Sequence, residues 1–170
     1  MPAFPIRCAV LSLALLPLAA MAQDTPEIQR PVGTAQAVGV LHTLRQIPEA
    51  CTRIEGQFTG DAANPYAMNL VRTSASCQAR AVFMDYAKVQ PSAAKGWKLN
   101  DIIKVPSATC SGQQAVVHVW RKPVGQALQL DGQDRARIYL DEANKQAAAG
   151  KLAELPAYAA VLEVEGKPCR

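Results

Sequence analysis

The sequence predicts a β-dominated α+β domain: one antiparallel sheet of short strands, a single C-terminal helix and two disulfides. Three observations point there. Apolar and polar residues alternate with period two in several short runs, as in Thr52-Arg53-Ile54-Glu55-Gly56-Gln57-Phe58. The 12 prolines and 10 glycines break the chain about every dozen residues, a spacing that suits short strands better than long helices. Four cysteines remain once an N-terminal export signal is set aside.

That signal occupies residues 1–22. Arg7 supplies a short positive region, Cys8 to Leu18 forms an apolar run broken by Pro17, and Ala20-Met21-Ala22 offers a small-x-small cleavage site before Gln23. The run is too short for a membrane anchor, which needs about 20 apolar residues. Cys8 stands at the start of the apolar core rather than just after it, so a lipoprotein anchor is not expected. Cleavage would leave 148 of the 170 residues, in an oxidising compartment, periplasmic or secreted. No later stretch is long and apolar enough to span a bilayer, so no membrane span is expected after cleavage.

Residues 23–32, with Pro26 and Pro31, are expected to be a flexible lead-in, and 33–170 a single globular β-rich domain. Ala37 to Arg45 fits two patterns. Val38, Val40, His42 and Leu44 alternate as in a strand, whereas Val38, Leu41 and Leu44 would share a helical stripe; Gly39 and Gln46-Ile47-Pro48 favour the strand. Thr52 to Phe58 is a cleaner half-buried strand, and residues 60–65 form a loop. Tyr66 to Arg72 and Cys77 to Asp85 are expected to pair around a turn at residues 73–76. Lys88 to Lys95 is a polar connection. Trp97 to Val105 and Ala115 to Trp120 are the next strands, the second rich in valine. Residues 127–140 resemble a hairpin around Asp131-Gly132, whose positive-φ tolerance such turns require. Asp141 can cap a helix that Gly150 and Pro156 end, and Tyr158 to Val164 returns as a last strand.

Cys51, Cys77, Cys110 and Cys169 are an even set in an exported chain, which implies a disulfide framework with three connectivities open. Cys51–Cys77 and Cys110–Cys169 are favoured, because the first two border strands in the same half of the chain. No C-x2-C spacing supports zinc or thiol redox chemistry, and neither metal nor cofactor is expected.

After cleavage 17 basic residues face 14 acidic ones, a mild and scattered excess. Nucleic acid is not an expected partner without a basic stripe interleaved with aromatics. Ser92-Ala93-Ala94-Lys95 matches the S-x-x-K pattern of penicillin-recognising serine enzymes. Its companion motifs are absent, and Pro91 and Gly96 mark a loop. There is no G-x-S-x-G elbow and no P-loop. No catalytic residue is assigned.

Two binding features remain. Trp97 and Trp120, with Arg121 and Lys122 beside the second, combine indole and positive charge, a composition common at recognition surfaces; the competing reading packs both indoles in the core. The function expected is therefore a non-enzymatic exported binding or accessory protein, an inhibitor or envelope adaptor, with an envelope protein or cell-wall polymer as partner. Two alternatives stand beside it: a small hydrolase using His42 or His118 with a carboxylate, and a structural envelope component.

Overall fold

The computed structural model describes residues 25–124, 155–167 and 169. Seven strands among them build two sheets. In the first, β1 (His42–Ile47), β2 (Thr52–Phe58) and β3 (Tyr66–Arg72) are antiparallel in the order β1-β2-β3. The second has the order β4-β7-β6-β5, with β4 (Val82–Phe83), β5 (Lys98–Pro106), β6 (Gln113–Lys122) and β7 (Ala157–Gly166). Only β4 runs parallel to its neighbour, pairing with the first two residues of β7. The chain is thus strand-rich, but the single sheet expected from the sequence is two.

The core lies between the sheets because β2 and β6 each turn alternate residues to it. Thr52, Ile54, Gly56 and Phe58 are buried along β2 while Arg53, Glu55 and Gln57 are half-buried. Ile54 and Phe58 meet Ile103 and Val105 of β5, Ala115, Val117 and Val119 of β6, and Tyr158 and Ala160 of β7. A smaller cluster of Trp97, Ala157 and Ala159 lies apart, covered by Tyr86, Val89 and Trp120.

Two bulges adjust what each edge strand presents. The β1–β2 register slips between Thr43 and Arg45, and the β5–β6 register slips between Leu99 and Asp101. Leu44 and Asn100 are therefore the extra residues, and the bend lets adjacent side chains both turn inward. Leu44 is buried, its neighbour Arg45 is half-buried, and Asn100 and Asp101 are both buried.

The segment expected as a lead-in is hydrogen-bonded along β5. The amides of Glu27, Ile28, Gly33 and Gln36 donate to the carbonyls of Leu99, Asn100, Lys104 and Pro106 at 2.8–3.0 Å. Val38 then pairs with Phe58 of β2, and Gly39, at φ 79°, turns the chain into β1. This N-terminal run of residues 27–38 bridges the two sheets along one side of the sandwich.

Of the sequence-derived elements, 52–58, 66–72, 98–106, 113–122 and 157–166 form strands close to their expected bounds. The 37–45 segment becomes a strand only from His42 onward. The expected pairing of Cys77–Asp85 with Tyr66–Arg72 does not occur, since β3 pairs with β2 and only Val82–Phe83 is strand. Its backbone groups are engaged elsewhere: the Arg80 and Ala81 amides donate to the Glu49 carbonyl, and the Arg72 guanidinium holds the carbonyls of Ser74 and Cys77. A short helix, α1 (Tyr86–Val89), leads into the polar connection expected at Lys88 to Lys95, and its Ala87 amide is capped by the Asp85 carboxylate at 3.0 Å. The expected hairpin at 127–140 and C-terminal helix at 141–150 lie outside the described residues.

Both favoured disulfides are formed, Cys51–Cys77 and Cys110–Cys169, closing separations of 26 and 59 residues. The first ties the 73–81 crossing to the start of β2, and the second ties the chain beyond β7 to the β5–β6 turn. No helix among the described residues is long and apolar enough to cross a membrane.

Gly56 is required by close approach. A Cβ there would sit 2.0 Å from the Tyr66 hydroxyl oxygen and 2.5 Å from its ring. Tyr66 lies over the bare glycine, edge-on to Phe58 at 4.8 Å between centroids, and is 5 % exposed. Gly56→Ala is expected to lower stability by about 1–3 kcal/mol, since the ring must leave a packed site. Urea unfolding of oxidised protein measures it, and an unchanged midpoint would contradict the packing described.

Candidate functional site

A groove of about 370 Å³ opens between the N-terminal run, β1 and β5. Arg30, Val32 and Thr34 line one wall, His42 and Leu44 the second, and Ile103 and Val105 the floor. The run can stand off from β1 because it spends its backbone bonds on β5.

The end of the groove is set by a buried carboxylate. Asp101 is 0 % exposed and receives two guanidinium groups. Arg30 from the N-terminal run donates through Nε to Oδ1 at 3.0 Å and through Nη2 to Oδ2 at 2.6 Å. Arg45 from β1 donates through Nη1 to Oδ2 at 3.0 Å. Burial pulls the Arg45 guanidinium below its usual range and the Asp101 charge opposes that; arginine keeps its proton under both influences. A charged group at an inward position of a β-strand is costly alone, and two bidentate-capable partners offset the cost.

A second carboxylate holds the start of the same run. Glu27 accepts from Arg121 Nε at 3.1 Å and Nη2 at 2.7 Å, and from Asn100 Nδ2 at 2.8 Å, with Lys98 at 4.0 Å. The Arg121 hydrogen bonds hold the Glu27 carboxyl below the usual glutamate range, against a partial desolvation that raises it.

His42 sits where the groove meets the core. Its Nδ1 faces the Val40 carbonyl at 3.0 Å and must donate there, so Nε2 accepts from the Tyr66 hydroxyl at 2.7 Å. Burial pushes the Tyr66 phenol upward, so it stays protonated and able to donate. Both ring nitrogens of His42 are thus occupied within the chain. His118 lies on β6 opposite Ile102 and Val161, in the other sheet from His42. Neither histidine hydrogen-bonds a carboxylate among the described residues, and no group of three or more His, Cys, Asp or Glu there could hold a metal.

The lining of the groove mixes polar and aliphatic side chains. Val32, on one wall, is 57 % exposed; Val40 and Leu41, which precede His42 in the chain and do not line the groove, are 46 % and 56 % exposed. A second hollow, of about 280 Å³, lies beside the Cys110–Cys169 bridge, with Val38, Phe58 and Asp61 among its lining residues.

The binding residues expected from the sequence lie elsewhere, at the Lys98 end of β5. Trp97 is buried against Ala157 and Ala159, and Trp120 is half-buried with its Nε1 enclosed and unpartnered among the described residues. Arg121 is engaged by Glu27, and Lys122 is exposed. Ser92 and Lys95 of the S-x-x-K match stand around a single 3-10 turn, where Lys95 Nζ donates to the carbonyls of Val89 and Gln90. Sequence reasoning missed Glu27, Arg30, Arg45 and Asp101. One signal was present for Asp101, a charge that alternation places on the same strand face as Leu99, Ile103 and Val105. No protein-family model matches this chain, and no curated protein or solved structure matches it.

Asp101→Asn is expected to cost about 3–5 kcal/mol, because it leaves the Arg45 guanidinium partly buried and unpaired. Urea unfolding reads the loss, and amide exchange at Gly33 and Gln36 should accelerate as the N-terminal run loosens. A native-like midpoint would contradict the clamp. Glu27 has a second signature, in pH. Its folded pKa lies below the unfolded value of about 4.3, so its contribution is complete above that value and is lost as pH falls through the folded pKa. Thermal melts of Glu27→Gln should therefore fall less steeply below about pH 4.3 than wild type; parallel acid limbs would refute the assignment.

Proposed function

We propose that this chain is an exported, non-enzymatic binding module that holds a protein partner along the groove between the N-terminal run and β1, in an inhibitor or adaptor role. The reading rests on Val32, more than half exposed on one wall of a preformed hollow that also holds Arg30 and His42, and on Val40 and Leu41, the exposed pair that leads the chain into His42. Aliphatic side chains held in water on ordered backbone gain free energy when covered, and such groups edged by polar atoms mark protein contact surfaces. A cell-wall polymer is favoured less, since sugars stack on exposed rings and Trp97 is 5 % exposed. Export is supported by the residues 1–22 pattern and by two disulfides, bonds that persist where thiols are not kept reduced.

The test places a photoreactive residue at Leu41, or at the remote Glu165, in the oxidised mature protein and exposes it to envelope extract. A saturable adduct at Leu41 and none at Glu165 is expected. Val32→Glu combined with Leu41→Glu should reduce adduct yield at least about tenfold, while surface changes of this kind shift stability by only about 0.5 kcal/mol. Equal adduct yield at both positions, or a yield unchanged by the double substitution, would overturn the proposal.

A further inference from the structure

Among the described residues, one sheet edge is less protected than the others. The N-terminal run covers β5, and β1 is bent by its Leu44 bulge. The outer edge of β7 beyond Tyr158 carries exposed Glu163 and Glu165. Charges, bulges and covering segments are how proteins prevent strand addition. β3 has neither bulge nor covering strand among the described residues, and its one charge, Arg72, stands at its last position. It pairs with β2 over seven residues in unbroken register, contains no proline or lysine, and has no strand on its outer side among the described residues.

The hydrogen-bond phase says which groups that edge offers. Thr73 donates to the Cys51 carbonyl and Thr59 to the Pro65 carbonyl, so the pairs 51–73 and 59–65 face each other within the hairpin. Antiparallel bonding alternates, so the amides and carbonyls of Tyr66, Met68, Leu70 and Arg72 point away from β2. Leu70 is 49 % exposed although its partner across β2, Ile54, is fully buried.

We propose that two copies of this chain pair through β3, antiparallel about Asn69, joining their three-stranded sheets into one continuous sheet. The strand is complementary to itself in this register. Met68 of each copy faces Leu70 of the other, and Tyr66 faces Arg72, so all four outward-pointing residues meet their counterparts in bonding phase. Exposed Leu70 gains an apolar neighbour on the inner face. On the outer face Asn69 meets Asn69 across the two-fold axis and Ala67 meets Val71. No like charges oppose each other, the condition under which cross-strand pairs stabilise a sheet. A two-fold partner also closes the assembly, leaving no third copy a β3 edge to join. The groove lies along the opposite side of the sandwich, between β1 and β5, and is left open.

Sedimentation of the oxidised mature protein should show a monomer–dimer equilibrium. Leu70→Pro removes an amide that points away from β2 and should abolish the dimer. Leu70→Lys, which leaves the backbone unchanged, should raise the dissociation constant at least about tenfold. Asn69 occupies the non-hydrogen-bonded position on the axis, where Cα atoms lie about 4.5 Å apart, inside the window for a disulfide of about 4.4–6.8 Å. Asn69→Cys should therefore crosslink two copies in a glutathione buffer, and Ala67→Cys should not. A protein that stays monomeric to millimolar concentration overturns the proposal. So does a dimer indifferent to Leu70→Lys, or an Ala67→Cys variant that crosslinks as readily as Asn69→Cys.

Discussion

The arrangement depends most on one buried carboxylate. Asp101 sits on β5 of the second sheet, Arg45 reaches it from β1 of the first, and Arg30 reaches it from the N-terminal run. Three segments far apart in sequence are thereby fixed to one point with no exposure to water. An ion pair of this kind adds little net stability compared with well-packed apolar residues. Its effect is selective: any arrangement that separates β1 from β5, or lifts the run off β5, strands a charge in the interior. The groove exists because those three segments converge at Asp101 and diverge beyond it.

A second constraint acts at the other end of the groove. Gly56 lacks a side chain, so Tyr66 can cross it, and from there its hydroxyl reaches His42. Each step requires the previous one. A side chain at position 56 would displace the ring, and a displaced ring would leave the His42 Nε2 without its donor. The position of His42 in the groove wall therefore depends on a contact in the core. The exposed aliphatic residues lie next to these two anchors in the chain: Val32 follows Arg30, and Val40 and Leu41 precede His42.

The two bulges show why part of the pattern could not be read by alternation. With a strict period of two, Leu44 and Arg45 would lie on opposite faces of β1, and Asn100 and Asp101 on opposite faces of β5. A bulge adds one residue to the count and turns neighbours to the same side. It is a property of two strands in register, so it is invisible until the pairing is known. The crossing at Cys77–Asp85 failed for a related reason. Its composition suits a strand, but its amides are committed to the Glu49 carbonyl and its first residue to Cys51, partners remote in sequence.

The sequence by itself determined the local structure and the staples. Five of the seven strands follow from alternation, valine-rich runs and the prolines and glycines that bound them, and the even cysteine set implied two bridges, of which the favoured pairing is the one formed. Period-two burial is a local property, legible wherever one strand face meets the core. Only the tertiary structure decided that the strands divide into two sheets, that residues 27–38 bridge them, and that Asp101 joins Arg30 and Arg45 in the interior. Those outcomes depend on contacts between residues remote in sequence, as between Glu27 and Arg121, 94 positions apart. At that separation a charge on a strand is equally consistent with a solvated face and a buried pair, and only the position of its partner distinguishes them.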